Sequence, residues 1–228
     1  MTTATIDAPT LPAAPALPRV TVADLLRRLG DIPADRVRFN PVPGLATFED
    51  LVHVNATRDA QICEWVDGTL VEKAMGFHES WLAVIIIGEL YAYLKANDIG
   101  MASAPDGVMN ILPGVGRAPD VAFIPWAKLK DGKPPARENK VPAVVPDLVI
   151  EILSASNTPA EMARKRDEYF RAGVKRVWEI SPESRSANVF TGPTAVTPVP
   201  ADGTLDGDAI LPGFTLALRD LFDRADRR

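Results

Sequence analysis

Between Pro146 and Ser181 the chain alternates strand, helix and strand in an order that leaves few architectures open. Pro146 to Leu153 is an apolar run of strand length, Thr158 opens a helix that Gly173 closes, and Lys175 to Ser181 is again a strand. The helix is marked at both ends. Thr158 with Glu161 spells a capping box, Pro159 takes the first helical position where a missing N–H costs nothing, and Gly173 supplies the left-handed stop. Strands that alternate with helices exclude all-α and all-β folds and predict an α/β (α+β) domain with a mixed sheet.

The remaining segments extend that order. Val22, Leu25, Leu26 and Leu29, with Gly30 after them, predict a short amphipathic helix from Thr21. Thr47 to Leu51 is a helical start after the Pro/Gly-containing connection Asn40 to Gly44. Gln61 to Lys73 reads as a hairpin turning at Asp67-Gly68. His78 to Asn97 contains the β-branched run Val84-Ile85-Ile86-Ile87, but its length decides for helix, and apolar side chains on every side predict a buried one. Gly100 to Leu112 and Arg117 to Pro125 read as strands, Ala127 to Val141 as a Lys- and Pro-rich loop, and Ser186 to Thr191 as a strand after the turn Pro182 to Arg185. A short helix ends at Phe222. Residues 1–20, with Pro9, Pro12, Pro15 and Pro18, are expected as a disordered Pro/Ala-rich tail, and 21–228 as one domain with its core over about 60–192.

Composition narrows the function classes. The 228 residues carry 25 Lys+Arg against 30 Asp+Glu, a net charge of -5, with 46% hydrophobic and 24% charged residues. These are globular values, which exclude a fibrous or wholly disordered chain. The acidic balance means that any phosphate-binding activity needs a local cationic site. Cys63 is the single cysteine, so neither an internal disulfide nor a thiolate zinc site forms, which fits a reducing compartment. The apolar stretch Trp81 to Gly88 is far short of the roughly 20 residues of a membrane span, and no charged n-region precedes Arg19. The expectation is a cytoplasmic protein without membrane contact.

Three polar groups stand where packing alone favours apolar ones. Asp120 opens the strand ending at Ile124, and Glu151 interrupts Leu148-Val149-Ile150-Glu151-Ile152-Leu153. A carboxylate among such neighbours needs a partner, because an unpaired buried charge is costly. On the helix wheel Lys165 falls on the core-facing arc with Tyr169 and Ala172, and Arg166 is a second inward candidate, while Arg164, Glu168 and Arg171 fall on the opposite, solvated side. The plain alternatives are a strand-start aspartate bonded to nearby backbone, a buried ion pair at Glu151 and a snorkelling lysine stem. Two carboxylates and a lysine converging on a cleft are also the minimum for metal-assisted phosphodiester hydrolysis. Carboxylates suit Mg²⁺, the ion activates water, and an ammonium orients the nucleophile or offsets developing charge.

The runs Gly116-Arg117-Ala118-Pro119-Asp120-Val121-Ala122-Phe123, Pro146 to Ser154, Lys165 to Tyr169 and Ala172-Gly173-Val174 resemble the Uma-two family of restriction-endonuclease-like proteins, in the PD-(D/E)XK superfamily. Glu64 to Glu72 and Leu211-Pro212-Gly213-Phe214 extend the resemblance over about 45–222. It implies a restriction-endonuclease-like αβββαβ core and an endonuclease acting on nucleic acid, DNA above RNA. It also implies Asp120 and Glu151 as metal carboxylates, the backbone carbonyl of Ile152 as a further ligand, and Mg²⁺, or Mn²⁺ in its place, as cofactor. Leu153 stands where the superfamily signature has its lysine, and Lys165 matches members whose lysine comes from the following helix. Glu64, Glu72, His78 and Glu89 form a second tier, each equally readable as a structural partner or, for His78, a helix-start residue.

Cationic side chains for phosphate contact are Arg164, Lys165, Arg166, Lys175 and Arg176, with Lys128, Lys130, Lys133, Arg137 and Lys140 on the loop. A homodimer would let a nuclease cut both strands of a duplex. Two other readings stay open: a nuclease fold kept as an inactive nucleic-acid or protein-binding module, and a glycosidase using Asp120 and Glu151 as acid and base.

Overall fold

The computed structural model describes residues 20–57, 61–74 and 76–227. The segment expected as a Pro/Ala-rich tail lies, except for Val20, outside the described residues. The chain opens with α1 (Val22–Leu29) and α2 (Phe48–Ala56), each started by a threonine capping box, Thr21 with Asp24 and Thr47 with Asp50. The expected hairpin follows as β1 (Cys63–Val66) and β2 (Thr69–Glu72), then α3 (Phe77–Ala96). Next come β3 (Gly100–Ser103), β4 (Met109–Leu112), β5 (Val115–Arg117), β6 (Val121–Pro125) and β7 (Leu148–Ile152). The helix α4 (Pro159–Ala172) leads to β8 (Arg176–Ser181), β9 (Ser186–Phe190), β10 (Val196–Val199), β11 (Thr204–Asp206), β12 (Thr215–Ala217) and α5 (Leu218–Asp226).

A six-stranded mixed sheet, in the order β10-β9-β8-β7-β6-β3, forms the centre. Only β7 and β8 are parallel, joined across α4, and the other pairs are antiparallel. The succession α3, β3, β6, β7, α4, β8 is the αβββαβ core. The two faces are covered differently. Val121, Phe123, Leu148, Ile150 and Ile152 pack with α3 and α5, while Ala122, Ile124 and Val149 pack with Tyr169 of α4 and with Met109 and Val115. Strand alternation therefore directs the even-numbered side of β6 and the odd-numbered side of β7 toward α4. A second sheet, β2-β1-β5-β4, carries the hairpin.

Several local expectations change. Gly100 to Leu112 is not one strand: the turn at Pro105 to Gly107 sends β3 to the large sheet and β4 to the small one. Arg117 to Pro125 likewise divides, with Arg117 ending β5 and Val121 starting β6. The strand β10 escapes a pattern reading because it is an exposed edge strand holding Pro198, where no ladder donor is needed. The capping box at Thr158 is only half made. Thr158 Oγ1 accepts from Glu161 N at 3.0 Å, but the Glu161 carboxylate is taken by Arg36 at 2.7 Å. Nor is α3 buried all round. Leu82, Ile86, Leu90 and Leu94 enter the core, but Phe77, Trp81, Val84 and Tyr91 face outward, because the sheet and α5 cover only one side of this helix.

Candidate active site

The site is assembled where β6 and β7 face α4. Val121 pairs with Ile150 in an antiparallel register, which sets Asp120, just before β6, beside Glu151 of β7. The Oδ2 of Asp120 accepts the Ile152 N–H at 2.7 Å, locking the carboxylate to the neighbouring strand. Its Oδ1 lies 2.8 Å from Lys73 Nζ, an ion pair that lacks hydrogen-bond geometry and leaves this buried oxygen without a hydrogen bond. Lys73 itself donates to the Pro105 carbonyl at 3.0 Å, so the end of the hairpin and the β3–β4 turn meet over Asp120.

Lys165 reaches in from α4, and its Nζ stands 3.5 Å from Glu151 Oε2 and 3.4 Å from Glu64 Oε1. Asp120, Glu151, Lys165 and Glu64 are all buried, Glu64 completely. Tyr169, one turn on from Lys165, donates its hydroxyl to Glu151 Oε1 at 2.6 Å. Glu64 accepts from Arg117 Nη1 at 2.6 Å and from the Ala118 N–H at 3.2 Å. Arg117 also binds Glu168 through Nε at 2.8 Å and through Nη2.

The two buried glutamates are pushed in opposite directions. Burial raises the Glu151 carboxyl, the negative fields of Asp120 and Glu64 add to it, and together they outweigh Lys165 and Lys73, so Glu151 titrates at about 7. For Glu64 burial acts in the same sense but is overcome by Lys165 and Arg117, which bring it down to about 2. Burial opposes the charge on Lys165, yet Glu151 and Glu64 hold its ammonium above the ordinary lysine range. Tyr169 is raised well above its ordinary value by burial and by Glu151 and Glu64, so it stays a neutral donor.

The two carboxylates are thus pushed apart in acidity, with the charged Lys165 between them. Among the described residues, no three His, Cys, Asp or Glu side chains converge as a metal-holding group. A cation here would draw on Asp120, Glu151, the Ile152 carbonyl and water. The donor set is all oxygen, Asp120 Oδ1 is buried without a hydrogen bond, and burial together with the neighbouring carboxylates holds back ionisation of Glu151, a penalty that a divalent charge would offset, so the residues fit a hard divalent ion. A hollow of about 270 Å³ is lined by Lys73, the partner of Asp120, with Gln61, Ile62, Pro105 and Asp106.

Of the second tier only Glu64 joins this cluster. Glu72 pairs with Arg38 at 3.1 Å, His78 lies half exposed 3.8 Å from Asp226, and Glu89 binds Arg224 of α5. Glu168, expected on a solvated face, is buried, because the small sheet covers that side of α4 and brings Arg117 to it. Much of the expected cationic patch is internally paired. Arg164 binds Asp67 and Glu168, Arg166 binds Glu179, Lys128 and Lys175 share Asp147, and Arg176 binds Asp208. Lys130, Lys133, Arg137 and Lys140 remain exposed on the 127–141 loop. Sequence reasoning missed Lys73, Arg117 and Tyr169. Tyr169 was within reach, since it shares the inward arc of α4 with Lys165.

No helix among the described residues is long and apolar enough to cross a membrane. No curated protein matches the chain. Among solved structures it is similar to one from Anabaena variabilis described as "a putative nuclease belonging to DUF820", with a TM-score of 0.67, 17% identity, and coverage of 78% of this chain and 98% of that one. At that identity the likeness speaks to the fold. The sequence family described as "Putative restriction endonuclease" matches residues 45–219, which contain every group of the buried cluster, and the chain belongs to this family, Uma2.

Proposed function

We propose that the chain is a metal-dependent endonuclease that hydrolyses phosphodiester bonds of DNA, with Asp120 and Glu151 as metal carboxylates and Lys165 as the catalytic ammonium. The observation that carries this reading is the convergence of those three side chains, from the residue before β6, from β7 and from α4, into one buried cluster. When bound, Mg²⁺ or Mn²⁺ would supply an activated water and offset charge on the attacked phosphate. Asp120, Glu151 and the Ile152 carbonyl would hold the ion. Lys165, fixed between Glu151 and Glu64, orients the nucleophile or meets the charge that develops on phosphate oxygen. Tyr169 fixes the plane of the Glu151 carboxylate, and Glu64 with Arg117 fixes Lys165 from behind. Lys73 balances Asp120 and has to yield to an incoming cation. Backbone phosphates then meet the exposed Lys130, Lys133, Arg137 and Lys140, whose contacts weaken with added salt.

The second reading, a nuclease fold serving as a binding module, draws on the burial of every charged group in the cluster and on Leu153 at the signature position. One set of assays separates the two. Purified protein is incubated with supercoiled, linear and single-stranded DNA, and with RNA, under Mg²⁺, Mn²⁺ or EDTA. Divalent-dependent DNA cleavage that falls at least about 100-fold in Asp120→Asn, Glu151→Gln and Lys165→Met supports the nuclease. Cleavage that those variants leave unchanged, or no cleavage of any substrate, refutes it. Heat evolved on titrating Mg²⁺ into the protein, absent in Asp120→Asn, separates a working metal site from a relic.

A further inference from the structure

We infer that the outward face of α3 is a two-fold interface between copies of this chain, with the two α3 helices packed antiparallel about a point level with Ile86. Phe77, Trp81, Val84, Gly88, Tyr91 and Lys95 are all exposed. Their spacings of four, three, four, three and four residues are those of a coiled-coil seam, and at 100° per residue they share about 80° of arc.

The order of side chains along the seam is self-complementary. An antiparallel two-fold sets Trp81 against the partner's Tyr91, Val84 against the partner's Gly88, and Phe77 against the partner's Lys95. Large rings then meet offset, a β-branched side chain enters a notch with no side chain, and an ammonium lies over an aromatic ring. A two-fold interface demands this property, since one patch must match itself after rotation.

Gly88 is the independent observation. Glycine in mid-helix is weaker than alanine, and here the chain's own packing does not require it: a Cβ at this position would meet nothing within 4 Å. Its backbone is ordinary helix. A residue that costs the helix and serves nothing within the protomer makes sense where a second helix comes close.

The area is adequate for a weak dimer. Phe77 is 91% exposed, Tyr91 67%, Val84 54% and Trp81 41%. With roughly 150–250 Å² for a whole aromatic side chain, the seam removes about 500 Å² per copy and about 1,000 Å² for the pair. That is the lower edge of specific interfaces, so association should be reversible and concentration-dependent.

Sedimentation velocity of the full-length chain across micromolar concentrations reads this directly. The expected result is a monomer–dimer equilibrium whose dissociation constant rises at least tenfold in Gly88→Gln and in Val84→Glu. Gly88→Gln should keep the circular dichroism spectrum and raise the melting temperature, because the protomer gains a better helix former. The register is tested by cross-linking. A mixture of Trp81→Cys and Tyr91→Cys proteins should form a disulfide-linked heterodimer, while neither does so alone, since like positions stand about 15 Å apart along the axis. A dimer that Gly88→Gln leaves unchanged, or cross-linking of either variant with itself, overturns the proposal. So does a chain monomeric at every concentration, including one in which residues 1–19 cover this face and their deletion uncovers it.

Discussion

Replacing Arg117 by methionine tests whether the buried cluster is held as the structure implies. Arg117 is 3% exposed and its guanidinium serves two carboxylates, Glu64 at 2.6 Å and Glu168 at 2.8 Å, so its removal leaves two buried charges short of a partner. Breaking one buried pair costs roughly 3–5 kcal/mol. Neither glutamate is wholly abandoned, because Glu64 keeps Lys165 at 3.4 Å and the Ala118 N–H, and Glu168 keeps Arg164 at 2.8 Å. The lower end, about 3 kcal/mol, is therefore expected. With a urea slope of roughly 2–3 kcal/mol per molar for a chain of this size, the unfolding midpoint at pH 7.5 should fall by about 1–1.5 M. The loss should shrink in acid. Wild-type Glu64, held near 2, contributes stability that is present above its ordinary 4.5 and lost as pH falls through 2. Without Arg117 that carboxyl titrates higher, so the gap between variant and wild type narrows as pH drops from 4.5 toward 2. Adding Glu64→Gln to the variant should restore at least about 1 kcal/mol, because the orphaned charge is gone. A loss under about 1 kcal/mol, or one independent of pH over that range, refutes the account of Arg117 as the shared cation of two buried carboxylates.

Other expectations are independent of that one. Arg36 and Glu161 form a buried pair with contacts at 2.7 and 3.1 Å, so Arg36→Met alone should cost about 3 kcal/mol in chemical denaturation, and the double variant with Glu161→Met should cost less than about 1. Tyr169→Phe removes the hydroxyl from Glu151 and should destabilise by about 2 kcal/mol at pH 8, less at pH 5 where Glu151 is protonated. The pH profile of metal-free stability carries a signature of Glu151. Its carboxyl is raised from 4.5 to about 7, so the folded chain binds more proton than the unfolded one between those values. The contribution is therefore complete below 4.5 and lost as pH rises through 7, a slope that Glu151→Gln should flatten in thermal melts at constant ionic strength. Calorimetric Mg²⁺ affinity should rise over the same interval, since the ion competes with that proton.

What the sequence determined by itself is everything that depends on a residue's relation to its own element. Strand alternation put Glu151 on one side with Val149, the helix wheel turned Lys165 inward, and turn and cap residues set the order of hairpin, helix, strands, helix and strand. The tertiary structure decided who meets whom. Lys73 reaches Asp120, and Arg117 joins Glu64 to Glu168, only because the hairpin sheet folds over α4, a contact between segments far apart in the chain. The same packing buried Glu168, diverted Glu161 from its capping box to Arg36, and paired most of the cations that looked free for phosphate. It also left one face of α3 in solvent, although its composition is apolar all round. Periodicity fixes the direction of a side chain relative to its own helix or strand. Charge state and exposure are set by the partners that sheet order brings to it, and no local pattern encodes those.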